Sequence, residues 1–131
     1  MVSFHDLILK EDSPIYLQII AHVKAGIVGE LIKNGDEMPS RRTVSALLGV
    51  NPNTIQKAYR QMEEEGLIYS HAGAKSSITV SQAQVKELKK ELLEGDILHI
   101  ILRLQAIGLK KEDAFTLLED LWEENEDETK I

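Results

Sequence analysis

Apolar residues recur at helical spacing in the first part of the chain. The first run follows Ser13 and Pro14, a pair typical of an N-cap and a first helical position, and contains Ile15, Ile19, Ile20, Val23, Ile27 and Leu31. It predicts a helix over residues 14–32. After a break at 34–36, Ser40 is placed to cap a short second helix over residues 40–48, in which we expect a core-facing side with Val44, Leu47 and Leu48.

The next element is a helix with two chemically different sides. Asn51 can cap it, Pro52 suits its first position, and Gly66 suits a left-handed end, so it should cover residues 52–65. At about 100° per residue, one side holds Ile55, Ala58, Tyr59 and Met62. The opposite side holds Asn53, Gln56, Lys57 and Arg60.

Strand-forming residues then occupy 67–70 and 76–80, and they predict a β-hairpin. Ser81 and Gln84 match a capping box that opens a fourth helix, which Gly108 ends. A final helix is expected over residues 110–124. Five of the last nine residues are acidic, and we expect that tail to be solvated and poorly ordered.

The order of these elements predicts a mainly α protein in two parts. Helix, short helix, turn, helix and hairpin form a winged helix-turn-helix over residues 1–80. Residues 81–131 are a helical region with too much apolar surface to bury alone, so we expect a second copy of the chain to cover it. The expected dimer interface consists of Leu88, Leu92, Leu93, Ile97, Ile100, Ile101, Leu104, Leu117, Leu121 and Trp122.

Composition sets the class of protein. With 131 residues and 43% apolar residues, the chain suits one small folded domain with a helical extension. It has no cysteine, which excludes disulfides, thiolate zinc sites and cysteine nucleophiles. No secretory signal or apolar run of about 18 residues occurs, so we expect a soluble cytoplasmic protein.

The charge distribution matters more than the net charge of −7. Residues 1–80 carry eight basic and nine acidic side chains, whereas residues 81–131 carry seven and thirteen. No Asp or Glu occurs from Met38 to Met62, where Arg41, Arg42, Lys57 and Arg60 lie. A locally positive surface can therefore exist on an acidic protein, although chance clustering is the alternative.

Amide and cationic side chains on the polar side of the third helix suit base edges and phosphates in a major groove. An ordinary solvated face is the alternative. Asn51 and Ser40 can be caps only or can also contact DNA, and the wing turn can approach DNA or be a plain surface turn. The candidate DNA contacts are Ser40, Arg41, Arg42, Asn51, Asn53, Thr54, Gln56, Lys57, Arg60, His71, Gly73 and Lys75.

Five motifs resemble one known family, the GntR family of bacterial transcription regulators. They lie at residues 13–19, 38–42, 48–54, 57–59 and 63–68. The resemblance implies a dimeric repressor on a palindromic operator, with Arg42 and the start of the third helix as principal contacts. The short C-terminal part resembles the YtrA-type subfamily. The wing tip departs from the family pattern, because the second glycine and the aromatic residue that often follow Gly73 are missing.

Other functions have less support from the sequence. No nucleophile elbow, dinucleotide fingerprint, phosphate-binding loop or zinc-binding His pair occurs, so we expect no enzyme, catalytic residue or cofactor. The four histidines are too scattered to predict a metal site, and no motif indicates a small-molecule effector, although the sequence leaves one open. The alternative is a winged-helix adaptor that binds protein, but such a face should show exposed aromatic residues or leucine.

Overall fold

The computed structural model describes residues 1–72 and 75–129. In chain order these residues form α1 (Ile15–Val28), α2 (Arg41–Leu48), α3 (Pro52–Glu64), β1 (Ile68–Ser70), β2 (Ser76–Ile78), α4 (Gln82–Ala106) and α5 (Lys111–Thr129). The predicted mainly α fold with a helix-turn-helix and a β-hairpin wing is confirmed. The chain divides into two compact units, Met1–Lys90 and Glu91–Ile131.

The first unit holds the hydrophobic core. Its centre is formed by Ile19 and Val23 of α1 and by Ile55 and Met62 of α3, all of which are fully buried. The unit extends beyond the boundary at residue 80 that the sequence suggested, because Leu88 of α4 is also buried in this core. The capping box at the start of α4 is confirmed by two reciprocal hydrogen bonds, from the Gln84 backbone to the Ser81 hydroxyl at 3.1 Å and from the Ser81 backbone to the Gln84 side chain at 2.8 Å.

The wing is a two-stranded antiparallel sheet. Ile68 lies opposite Ile78 and Ser70 opposite Ser76, and both isoleucines point into the core. The residues before α2 extend this sheet, since the Met38 N–H donates to the Ser76 carbonyl at 2.9 Å. The hairpin therefore has a fixed position beside the helix-turn-helix.

The N-terminal segment joins the core, which the sequence did not predict. Val2 and Phe4 are buried, and the Val2 N–H donates to the Glu37 carbonyl at 2.8 Å. The Phe4 ring lies 5.1 Å from the His22 ring of α1. The segment thus packs against the middle of α1.

Two details of the predicted first helix are wrong. Its N-cap is Pro14, with no side-chain cap bond, and not Ser13. The helix ends at Val28, because Glu30 adopts a left-handed φ of 63° and reverses the chain. Consequently Leu31 is 85% exposed and Ile32 takes the core position.

Two further expectations also fail. Leu47 of α2 is 43% exposed and does not face the core as predicted. Of the three residues predicted on the core-facing side of α2, Val44 is buried and Leu48 is partly buried. The acidic tail is helical as far as Thr129, because α5 continues through the glutamates that we expected to be poorly ordered. Glutamate is a good helix former, and this intrinsic preference favours continuation of the helix. Within residues 1–72 and 75–129, no helix is long and apolar enough to cross a membrane.

Candidate nucleic-acid interface

Helix α3 has the two sides that the sequence predicted. Ile55, Ala58, Tyr59 and Met62 are at most 1% exposed and pack against α1, α2 and β1. On the opposite side Asn53, Lys57 and Arg60 are exposed and Gln56 is half-buried. The polar side is therefore available to an external partner, although its contact with DNA stays a prediction.

The start of α3 is held by a local cap. The Asn51 side-chain oxygen accepts a hydrogen bond from the Asn53 N–H at 2.8 Å, and Pro52 takes the first helical position. This bond uses only the oxygen of the Asn51 amide, so its NH₂ group can still donate to a base edge or a phosphate. Thr54 is half-buried beside them. The first turn of α3 thus combines rigidity with exposed polar groups.

A buried hydrogen bond fixes α3 against the segment that leads into α2. The Tyr59 hydroxyl donates to the carbonyl of buried Pro39 at 2.7 Å. Burial raises the pKa of the Tyr59 phenol, and the nearby Arg41 charge lowers it by less, so the phenol stays neutral and keeps its proton for this bond. The relative position of α2 and α3 depends on this contact.

The two arginines at the start of α2 differ in their surroundings. Arg42 is exposed, whereas the Arg41 guanidinium lies 5.0 Å from the centre of the Tyr59 ring and 3.5 Å from a Glu63 oxygen. Ser40 caps the helix by accepting from the Thr43 N–H at 3.1 Å. Arg42 is therefore the arginine of this pair whose side chain is free to meet a phosphate.

Lys57 has a neighbour that the sequence analysis missed. Its ammonium nitrogen lies 4.1 Å from the centre of the Tyr16 ring in α1, a cation–π contact. Tyr16 belongs to one of the resemblance motifs, but spacing along the chain gave no reason to pair it with Lys57. The ring orients a cation on the polar side of α3 without neutralising it.

The described contacts of His71 lie within the wing. The His71 ring shares a hydrogen bond of 2.9 Å with the Ser77 hydroxyl and packs against Tyr69, while Lys75 is exposed. Gly73 lies outside the described residues. Among the residues that the structure describes, no group of three or more His, Asp or Glu side chains could hold a metal ion.

The predicted dimer residues fall into three groups by their exposure. Leu88 is 8% exposed and belongs to the core of the first unit, so it has little surface left for a partner, and its assignment to the interface needs correction. Leu104 is half-buried. The others are between 42% and 63% exposed, and they are Leu92, Leu93, Ile97, Ile100, Ile101, Leu117, Leu121 and Trp122.

Comparison with known proteins agrees with this architecture. The profile of the bacterial regulatory proteins of the gntR family matches residues 15–78. The HTH-type transcriptional regulator YhcF of Bacillus subtilis is 33% identical over 104 residues, which are 79% of this chain and 86% of YhcF. The HTH-type transcriptional repressor YtrA of the same organism is 32% identical over 114 residues, 87% of this chain and 83% of YtrA. A GntR family transcriptional regulator from Listeria monocytogenes has a similar structure, with a TM-score of 0.72, 28% identity, and coverage of 86% of this chain and 98% of that one.

Proposed function

Because this chain belongs to the GntR family of bacterial regulatory proteins, we propose that it is a repressor that binds a palindromic operator as a homodimer. The observation that carries the proposal is the exposed polar side of α3, backed by a fully buried apolar side. A regulator of bacterial genes works on chromosomal DNA, so its place is the cytoplasm.

DNA reading by α3 is supported by chemistry. Asn53 and Gln56 present amides, which pair with adenine in a major groove, and Lys57 and Arg60 present cations for guanine or phosphate. Arg42 adds a fork donor at the start of α2. From Asn53 to Arg60 the polar side of α3 carries no carboxylate that would repel a phosphate, and no large apolar side chain that would favour a protein partner, and the exposed Glu64 follows one turn later. This composition favours DNA over the adaptor alternative.

A homodimer is supported by the surface of the second unit. Nearly every large apolar residue of α4 after Lys90 and of α5 is exposed in the single chain. An apolar surface of this extent marks an interaction site, because water-exposed leucine and isoleucine gain free energy on burial. In a dimer, the apolar surface of one copy packs against the same surface of the second copy. Two copies also provide two winged domains for two half-sites.

Repression is supported by one relative. YtrA is described as a repressor, and it matches most of this chain. A dimer that covers its operator can block a promoter without any enzymatic activity. The relatives named above are described as transcriptional regulators, which agrees with a protein that acts by binding.

The proposal is tested by isolating genomic DNA fragments that the full chain binds. We expect the enriched sequences to contain two inverted half-sites whose centres are separated by a whole number of helical turns. A reporter gene placed under the enriched sequence should be expressed less when the regulator is present. Fragments without a shared motif, or with a single half-site bound by one chain, would contradict the proposal.

The dimer is tested by placing a charge in the apolar surface of the second unit. Ile101→Glu should shift the full chain from dimer to monomer in analytical ultracentrifugation, because the glutamate would have to lose its hydration at the interface. Gln82→Glu adds the same charge at an exposed polar position of α4 that lies outside the second unit, and it should leave the dimer intact. Equal masses for both variants and the unchanged chain would refute this interface.

A further inference from the structure

The Arg41 side chain does not face solvent freely, although it lies at the start of α2 in the surface we assign to DNA. Its terminal nitrogen is 3.5 Å from Glu63 Oε1, and its guanidinium lies over the Tyr59 ring. About 29% of the side chain is exposed. The side chain of Arg42, one residue later, forms no hydrogen bond or ion pair within residues 1–72 and 75–129. The two adjacent arginines thus differ in their surroundings, because Arg41 contacts other side chains and Arg42 is exposed.

Glu63 is itself held in place from the wing. The Ser70 hydroxyl of β1 donates to Glu63 Oε1, the same oxygen that faces Arg41. Ser70 also shares a hydrogen bond of 3.1 Å with the hydroxyl of Ser76, which is 4% exposed in β2. One carboxylate at the end of α3 therefore connects the start of α2 with both strands of the hairpin.

A phosphate that approaches α2 has to compete with this carboxylate. The Arg41 Nε atom is buried and has no hydrogen-bond partner among the described residues, so the guanidinium uses only part of its donor capacity. Phosphate would offer bidentate bonds, but the arginine must first leave Glu63 and the Tyr59 ring. The charge that Arg41 could give to DNA is thereby partly neutralised.

We propose that Glu63 is a positioning residue that restrains Arg41 and keeps it from binding the DNA backbone without regard to sequence. This inference rests on the proposed DNA-binding function. Phosphate contacts supply nearly all of the affinity for non-specific DNA, whereas base contacts discriminate between sequences. Withholding one arginine from phosphate lowers the affinity for all DNA, and it leaves α3 and Arg42 to select the operator. Glu63 therefore lowers the affinity for non-operator DNA and leaves the base contacts a larger share of the binding free energy.

The test compares Glu63→Gln with Glu64→Gln in the full chain. The two substitutions change the net charge equally, but Glu64 is exposed and forms no ion pair within the described residues. Glutamine at position 63 can still accept the Ser70 hydrogen bond. Binding to a fragment of unrelated duplex DNA is measured by fluorescence anisotropy between 50 and 200 mM salt, and the slope of log K against log salt is compared.

Glu63→Gln should steepen the salt slope by about 0.9 for each bound chain, the value for one additional phosphate contact. Glu64→Gln should leave the slope close to that of the unchanged protein. In an Arg41→Ala background, Glu63→Gln should no longer steepen the slope, because the released cation is absent. The affinity for the unrelated duplex should rise only when Glu63 changes and Arg41 is present.

Two results would overturn the proposal: equal slopes for the two glutamine variants, or a steeper slope that persists without Arg41. Glu63→Ala and Glu64→Ala provide a second pair if the glutamine variant unfolds, which circular dichroism will show. Absence of salt-dependent DNA binding by the unchanged chain would instead refute the proposed function, and with it this inference. Normal operator binding with equal slopes would refute the role of Glu63 alone.

Discussion

Removing the Tyr59 hydroxyl should destabilise the helix-turn-helix out of proportion to the size of the change. Tyr59→Phe keeps the buried ring but deletes the donor to the Pro39 carbonyl, a bond of 2.7 Å that ties α3 to the segment before α2. Pro39 is buried, so water cannot easily replace the lost donor. The carbonyl would be left without a partner.

The expected loss follows from this geometry. A buried polar group that loses its partner costs about 1–3 kcal/mol, whereas the lost apolar contact is negligible because the ring remains. Tyr69→Phe is the matched control, since Tyr69 is 59% exposed. That substitution should change the free energy of unfolding by less than about 0.5 kcal/mol.

The assay is urea unfolding of the full chain at one fixed protein concentration, because a dimer's apparent stability depends on concentration. Tyr59→Phe should lower the midpoint with an unchanged m-value. Burial raises the pKa of Tyr59, so the neutral phenol stabilises the folded state fully below about pH 10 and this contribution is lost at higher pH. The difference between Tyr59→Phe and the unchanged chain should therefore shrink above about pH 10. Equal midpoints for Tyr59→Phe and Tyr69→Phe would refute the reasoning.

Two further predictions concern the Tyr16 ring and the packing at the end of α1. Tyr16→Leu removes the ring beneath Lys57 and should weaken DNA binding about 2- to 5-fold in anisotropy titrations, the value of an exposed cation–π contact. Tyr16→Phe keeps a ring and should bind DNA normally. Equal DNA affinities for the two variants would contradict a role for the ring. Gly26→Ala would place a Cβ atom against Ile32 Cδ1 and 2.8 Å from Ile32 Cγ1, and it should cost about 1–3 kcal/mol in urea unfolding. Gly95→Ala, which has open space, should be neutral or stabilising, and similar losses for both would count against this packing.

Local signals explain what the sequence could predict. The caps at Ser40, Asn51 and Ser81 each involve residues no more than three positions apart, and the structure contains all three. The two sides of α3 follow from helical periodicity alone. Features of this kind depend on neighbours along the chain, so a single sequence is sufficient to find them.

Contacts between distant residues explain what the sequence could not predict. Leu31 continues the helical pattern of α1, but the left-handed residue Glu30 turns the chain and exposes it. Val2 is buried, and its N–H donates to the carbonyl of Glu37, which is far away along the chain. The periodicity of one helix likewise did not distinguish Leu88, which packs into the first unit, from the exposed leucines that follow it in α4.

The candidate interface shows the same limit. Composition identified the acid-free window that contains Arg41, but Glu63 lies just beyond its end and reaches back to that arginine. A window counted along the chain cannot detect such a pair, because α3 brings the two residues together in space. The sequence shows which residues carry a charge, but it does not show which partners lie beside them in space.

The central claim is that the polar side of α3 reads the operator. It is tested most directly by measuring how the Asn53→Ala variant discriminates between base pairs at each operator position. The variant and the unchanged chain are titrated against operators with single base-pair substitutions. We expect the variant to lose about 1–3 kcal/mol of discrimination at one base pair in each half-site, and Lys57→Ala to weaken all sequences alike with a salt slope lower by about 1 per half-site. Unchanged discrimination and unchanged salt slope in both variants would contradict the account.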